Sequence, residues 1–286
     1  MTINKSILSA AITATLLSFS MHAHAWEYRS TESTTAHALQ IRVGAEFTKK
    51  WDCGVHLKLA EDLRVDLFEA ENGTAGGFSI DTIRGINLNK SYTTLDLSYS
   101  PIKYLKFDVG YTLKILGRKD WSDYNEWLRH RLFFSITGSY EIGIVKLSLR
   151  ERAICEIRTD SINPLEKTRY EWSLRSKLGA DFTIPGKAFK PYAWIEIINT
   201  LNAPQYQQYY IDADPNSHNG QQYIVKVRTQ IGVRWRISKL STLNFYYRFA
   251  YGYDRDINVT KKNSYVELTE EFGYIHSLGF VYELDW

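Results

Sequence analysis

Histidine is the side chain best suited to act as a general base near neutral pH. In an extended segment, residues i and i+2 share a face, so a His-x-Ser pair would set an imidazole beside a hydroxyl it could deprotonate. His37, His56, His130, His218 and His276 are followed two positions on by Leu39, Lys58, Leu132, Gly220 and Leu278. None of these is Ser, so no nucleophile–base pair of this kind is present. Asp212, Asp214 and His218 lie together in a stretch that also contains Asp-Pro and Asn-Gly steps. Carboxylates and an imidazole could suggest proteolysis or a metal, but turn-forming pairs make a solvated loop the simpler reading. No catalytic, cofactor-binding or metal-ligating residue is assigned, and enzymatic activity is not expected.

The other chemistry-bearing set is basic. Arg131, Lys146, Arg150, Arg152, Arg169, Arg175, Lys177, Lys226, Arg228, Arg234, Arg236 and Arg248 fall in segments where apolar residues occupy the intervening positions. The acids sharing their parity are fewer: Glu156, Glu171, Asp181 and Glu196. The formal net charge is only +3, too small to imply a nucleic-acid partner. The basic surplus is therefore local to one face, and its meaning depends on what that face lines.

The segments that position this face are strands. From the terminus backwards, Trp286, Leu284, Tyr282, Phe280 and Leu278 alternate with Asp285, Glu283, Val281, Gly279 and Ser277. Period-two alternation marks a strand with two different faces. An apolar face that runs to a terminal aromatic suits the closing strand of an outer-membrane β-barrel, with lipid outside it. Phe280, Tyr282, Leu284 and Trp286 are then the expected signal for a Gram-negative barrel-assembly machinery.

Similar segments recur from Leu39 onward. Leu39, Ile41, Val43, Ala45 and Phe47 alternate with Gln40, Arg42, Gly44 and Glu46, and about ten further segments follow, ending in Val225–Ile237, Leu243–Tyr253 and the terminal strand. Short connections at Lys49–Asp52, Pro101–Tyr104, Glu141–Gly143, Ile184–Lys187 and Ser238–Ser241 alternate with long ones around Phe68–Lys90, Gly117–Leu128, Thr159–Lys167, Asn199–Gly220 and Asp254–Glu271. This is the up-and-down pattern of short periplasmic turns and long outer loops. The expected fold is all-β, an up-and-down antiparallel transmembrane barrel of about 12 strands (10–12). The odd segment count leaves two options: a missed strand in Trp26–Ala38 or Phe78–Asn87, or an N-terminal stretch threading the lumen.

Composition agrees. A mean hydropathy of −0.33 is low for membrane helices but suits a barrel, where only alternate residues meet lipid. Aromatics reach 14%, with 20 Tyr and 8 Trp, enough for belts at two interfaces. Trp51, Trp235 and Trp286 are expected at the periplasmic rim, and Trp121, Trp127 and Trp172 at the outer one. Residues 1–25 have one base, Lys5, an apolar run and an Ala23-His24-Ala25 ending, the form of a cleaved signal peptide that leaves 26–286 as the barrel domain. Cys53 and Cys155 are expected near opposite rims and unpaired. Glu151 falls on the lipid-facing parity, which a β-bulge between Leu149 and Ala153 would relieve.

The stretch Ser98-Tyr-Ser-Pro-Ile-Lys-Tyr-Leu-Lys-Phe107 with Val109-Gly110-Tyr111, Leu128-Arg129-His130-Arg131, Lys190-Pro191-Tyr192 with Glu196, and Tyr246-Tyr247-Arg248 resemble an uncharacterised family of Gram-negative outer-membrane barrels, filed as a domain of unknown function. The likeness covers roughly 39–286 and implies architecture; it brings no activity or functional residue. The loop around Glu69–Lys90 is longer than the family's, and Trp stands at the terminus where Phe is commoner.

In a barrel, the basic set turns inward. Arg131, Arg150, Arg152, Arg169, Arg175, Lys177, Arg228, Arg234 and Arg248, with Glu171 and Glu196, become lumen-lining candidates for ion selectivity. Either they line a narrow anion-attracting pore, or the barrel is closed and acts structurally or through its outer loops. Outer-membrane lipid and the assembly machinery are the expected partners, with no cofactor and no nucleic acid. Changing Phe280, Tyr282 and Trp286 together to Ser strips the lipid face of the closing strand. That variant should be lost from the outer-membrane fraction, as read by immunoblot of separated membranes.

Overall fold

A computed structural model describes residues 32–73, 82–117, 128–159, 167–203, 224–259 and 266–286. The expected signal peptide, Trp121, Trp127, Asp212, Asp214 and His218 lie outside these residues. The strands are β1 (Glu32–Lys50), β2 (Val55–Gly73), β3 (Thr82–Arg84), β4 (Asn87–Ile102), β5 (Leu105–Leu116), β6 (Leu128–Ile142), β7 (Val145–Arg158), β8 (Tyr170–Phe182), β9 (Phe189–Thr200), β10 (Ile224–Arg236), β11 (Ser241–Val259) and β12 (Val266–Asp285).

Each strand except β3 pairs with a neighbour on both sides, and β1 pairs with both β2 and β12, so the sheet closes on itself. The sheet has 12 strands. β3, of 3 residues, pairs only with Glu69–Glu71 of β2, leaving the other eleven to form the wall. The odd segment count is thus real. β1 and β12 run the same way and pair in parallel from Glu32↔Thr269 to Thr48↔Asp285. The expected count of about 12 strands (10–12) holds, and the expectation of wholly antiparallel pairing is corrected by this one parallel pair. Among the described residues no further strand enters the wall, and two same-direction strands meet at one seam.

The register fixes the shape. Starting at Lys50 and stepping through the paired residues His56, Ser98, Asp108, Ser135, Arg152, Arg175, Ile198, Lys226, Gly252 and Gly273, the path returns to β1 at Ala36, fourteen residues from its start. With a rise of ~3.3 Å per residue and ~4.8 Å between strands, that shear tilts the strands roughly 40° from the axis. A small barrel tilted this far has an interior that side chains can largely fill.

The two faces are inverted relative to a protein folded in water. Val43, Leu59, Leu95, Val109, Leu132, Leu178, Ile231 and Leu278 face outward and are exposed, Ile231 by 61%. On the inward parity, Arg42, Asp96, Ser98, Ser135 and Glu196 are buried, Ser135 completely. Only an apolar surrounding makes such a partition favourable, so the wall spans a membrane. The short turns hold Gly54, Gly143 and Gly186 at positive φ, a region that L side chains rarely adopt. Near these turns the outer surface carries Trp51, Tyr104, Tyr140, Trp235 and Trp286, while Tyr170 and Trp172 lie near the opposite end. The Asp254–Glu271 connection is largely paired, because β11 and β12 continue together to Val259↔Val266.

Glu151 keeps its outward parity. Its pairings, Ile136↔Glu151 and Glu151↔Ser176, sit in unbroken registers, so the expected bulge is absent. Instead Ser176 Oγ donates to Glu151 Oε2 at 2.7 Å. Cys53 is exposed in a turn, Cys155 is buried, and both thiols are free.

The parallel seam can be tested directly. Ala45 is paired with Tyr282, so a double-cysteine variant at these positions should crosslink within one chain under mild oxidation, giving a species of altered gel mobility that a reductant abolishes. A pair displaced by four residues, Ile41→Cys with Tyr282→Cys, should not.

Candidate functional site

The inward face carries both signs of charge, and its strands arrange them in clusters. Glu156 of β7 accepts from Arg129 (3.0 Å), Lys114 (3.2 Å) and Arg131. Glu196 of β9 takes Arg150 of β7 at 2.9 Å and Arg228 of β10 at 3.3 Å. Asp62 of β2 binds both Arg42 and Arg64. Arg234 reaches Asp181 at 2.5 Å, Arg158 reaches Glu171 at 2.8 Å, and Arg152 stands 4.0 Å from Asp96. Glu156, Glu196, Asp181 and Asp96 each reach a cation two or three strands away, whereas Asp62 and Glu171 are held from their own or the adjoining strand. In a low-dielectric wall such pairs must be satisfied or they cost several kcal/mol each, on the order of 3–5 when one partner is removed.

Aromatic rings organise the same face. Tyr246 lies opposite Gly279, Phe133 opposite Gly110 and Tyr192 opposite Gly232. A Cβ on any of these glycines would overlap the facing side chain. The rings therefore rest flat on the neighbouring strand, where only glycine leaves room. Their other faces carry cations: Arg152 lies 4.1 Å from the Phe133 centroid, Arg234 4.3 Å from Tyr192, and Arg248 5.1 Å from Tyr246. Lys177 is 4.2 Å and Arg248 5.1 Å from the Trp194 ring. Tyr92 carries Arg64 at 4.1 Å and Arg131 at 5.3 Å. Each contact is worth roughly 0.5–2 kcal/mol, the larger value where water is excluded. Rings pressed to the wall leave the centre of the lumen to the cationic heads.

A hydrogen-bond chain ties one group together. Arg248 Nε donates to Gln230 Oε1 (2.7 Å), Gln230 Nε2 to Tyr192 Oη (2.5 Å), and Tyr192 Oη to Asn244 Oδ1 (2.9 Å). Around it lies a cavity of about 430 Å³, lined among others by Arg150, Arg152, Arg175, Lys177, Trp194 and Arg248. A second cavity of about 350 Å³ adjoins it, sharing Asp96, Arg150, Arg152, Lys177, Trp194 and Arg234 while adding Lys106, Asp108 and Asp181.

Most of the lumen-lining candidates read from sequence do meet here. Arg131, Arg150, Arg152, Arg228 and Arg234 are ion-paired, and Glu171 and Glu196 are two of the carboxylates that hold arginines. Arg175, Lys177 and Arg248 make no carboxylate contact within ion-pair distance among the described residues. Arg169 is a correction: it is exposed and precedes the first residue of β8, outside the wall. Sequence reading missed Asp62, Asp96, Asp108 and Tyr92 on β2–β5, although they share the inward parity. The glycine-to-ring pairing was also missed, because it depends on which strands are neighbours and in what register.

The family described as "Protein of unknown function (DUF2490)" matches residues 43–261. The chain belongs to this family. No curated protein matches it. Among solved structures, the one titled "NanC porin structure in rhombohedral crystal form" is similar at 7% identity and a TM-score of 0.35, covering 74% of this chain and 87% of that one. At that distance the likeness lends this DUF2490 chain no activity.

The ring-on-glycine joints yield a stability test. Gly279→Val would fill the space of the Tyr246 ring and should destabilise the barrel by about 1–3 kcal/mol, as overpacking does. Urea unfolding in lipid vesicles would measure it. The double variant Gly279→Val with Tyr246→Ala should recover part of the loss.

Proposed function

We propose that this DUF2490 protein is an integral outer-membrane barrel, exported by removal of residues 1–25, whose narrow lumen passes small anions. The observation that carries this reading is Arg175, Lys177 and Arg248, three lumen cations with no carboxylate within ion-pair distance among the described residues, in a lumen where the other arginines named above are held. A surplus of positive charge in a confined passage raises the local anion concentration and repels cations. The aromatic residues near both ends of the wall suit the two interfaces of an outer membrane.

A second reading is a closed barrel that acts structurally or through its outer loops. The density of ion pairs and the stack of Arg64 and Arg131 on Tyr92 favour it. Catalysis has the least support, since no histidine is followed two residues on by serine.

Reconstitution into a planar bilayer under a potassium chloride gradient separates these readings. The wild type should conduct with a reversal potential on the anion-selective side. Arg175→Glu with Arg248→Glu should move it to the cation-selective side without loss of the folded, heat-modifiable gel band. A folded but non-conducting wild type overturns the passage and leaves the closed barrel.

A further inference from the structure

Arg175 and Lys177 stand two residues apart on β8, hence on one face, and Arg248 enters from β11. Lys177 and Arg248 approach the same Trp194 ring, and all four side chains line the cavity of about 430 Å³. That volume lies within the range of roughly 300–1,000 Å³ typical of small-molecule sites. Glu196, already held by Arg150 and Arg228, is also the carboxylate that acts on Arg175 and Lys177, so four cations share one counter-charge, and an anion or water in the cavity offsets the surplus.

We propose that this cavity is a binding site for a small, flat-bodied organic carboxylate. The site deepens the lumen reading above, yet it does not depend on conduction, because a closed barrel could hold the same ligand.

Three features select the ligand class. The Arg248 guanidinium is oriented through Nε by Gln230 and lines the cavity, and the planar fork of a guanidinium matches the two oxygens of a carboxylate. The Trp194 ring, which Lys177 and Arg248 already approach, borders the same space, so the body of an organic ligand bound to these cations gains apolar contact that an inorganic anion cannot use. Asp62, Asp96, Glu46 and Glu283 also line the cavity, so a polyanion would meet repulsion that a single carboxylate avoids. Arg150 and Arg228 are held by Glu196, and Arg234 by Asp181.

Isothermal titration of the full barrel in mild detergent tests the site, using sodium benzoate, sodium acetate and sodium sulfate at constant ionic strength. Benzoate should bind saturably, at one site per chain, at least about tenfold more tightly than acetate or sulfate. Lys177→Gln and Arg248→Gln should each weaken benzoate by about tenfold, the scale of one lost charged hydrogen bond. Trp194→Leu should erase most of the preference for benzoate over acetate. Lys103→Gln, in a short turn outside both cavities, should change nothing. Heat-modifiable gel mobility checks that every variant is folded.

Equal affinity for sulfate and benzoate, absence of saturation, or unchanged binding in both Lys177→Gln and Arg248→Gln would overturn the proposal. Benzoate binding by a non-conducting wild type would overturn the passage while supporting the site. Anion conduction without benzoate binding would do the reverse.

Discussion

Closure of the sheet is the constraint on which everything else depends. In hydrocarbon an unpaired backbone N–H or C=O costs several kcal/mol, so a strand edge cannot be left open. Here the last edges to be joined are β1 and β12, and their pairing continues to the end of the chain. Lys50 N donates to Trp286 O at 3.0 Å, and Trp286 N donates to Thr48 O at 2.9 Å. Lys50 and Asp285 add a side-chain contact of 2.6 Å at the same place. With eleven wall strands the first and last must run in the same direction, so closure requires a parallel seam. The slanted bonds of a parallel pair are slightly weaker per residue than antiparallel ones, and the seam offsets this by length, with 17 paired residues.

The same closure decides what lies inside. Shear carries each rung of the ladder upward as it passes round the wall, so inward residues from distant strands meet at one height. Arg150 of β7 and Arg228 of β10 converge on Glu196 in this way. Cation and ring likewise come from different strands, as Lys177 of β8 meets Trp194 of β9. The lumen chemistry is therefore a property of register, and a change in register by one residue would turn the charged set toward lipid.

This explains what sequence could and could not tell. Parity is local: Leu95 and Leu97 outward against Asp96 inward can be read from three adjacent letters, and the structure keeps that assignment. The eleven segments were legible for the same reason. The preference for an even count came from the habit of other barrels, not from these residues. Partners are not local. Nothing in the neighbourhood of Arg175 distinguishes it from Arg150, yet among the described residues the first has no carboxylate within ion-pair distance and the second is bound to one 46 residues away. Gly279 likewise reads as a weak point in the terminal strand until Tyr246 is placed against it. Arg169 failed at a strand boundary, where alternation stops carrying information.

Two outward carboxylates show how far the wall tolerates exceptions. Glu61 pairs with Ala45 and Thr93, both on the lipid-facing parity, and its oxygens accept from Ser91 Oγ and, at 2.5 Å, from Thr93 Oγ1. Glu151 accepts from Ser176 Oγ on the adjoining strand. Tracing both through the register places each roughly 15 Å above the level of Lys50, at ~2.5 Å of axial rise per residue for this tilt. Both thus stand near mid-depth of an apolar band about 25 Å tall. Acids cost less than Arg or Lys on such a surface, and each is given hydroxyl donors from a neighbouring strand. The outward polar residues are therefore paired across strands by the same register that pairs the inward ones: a carboxylate is tolerated in this wall where the adjoining strand supplies its donor.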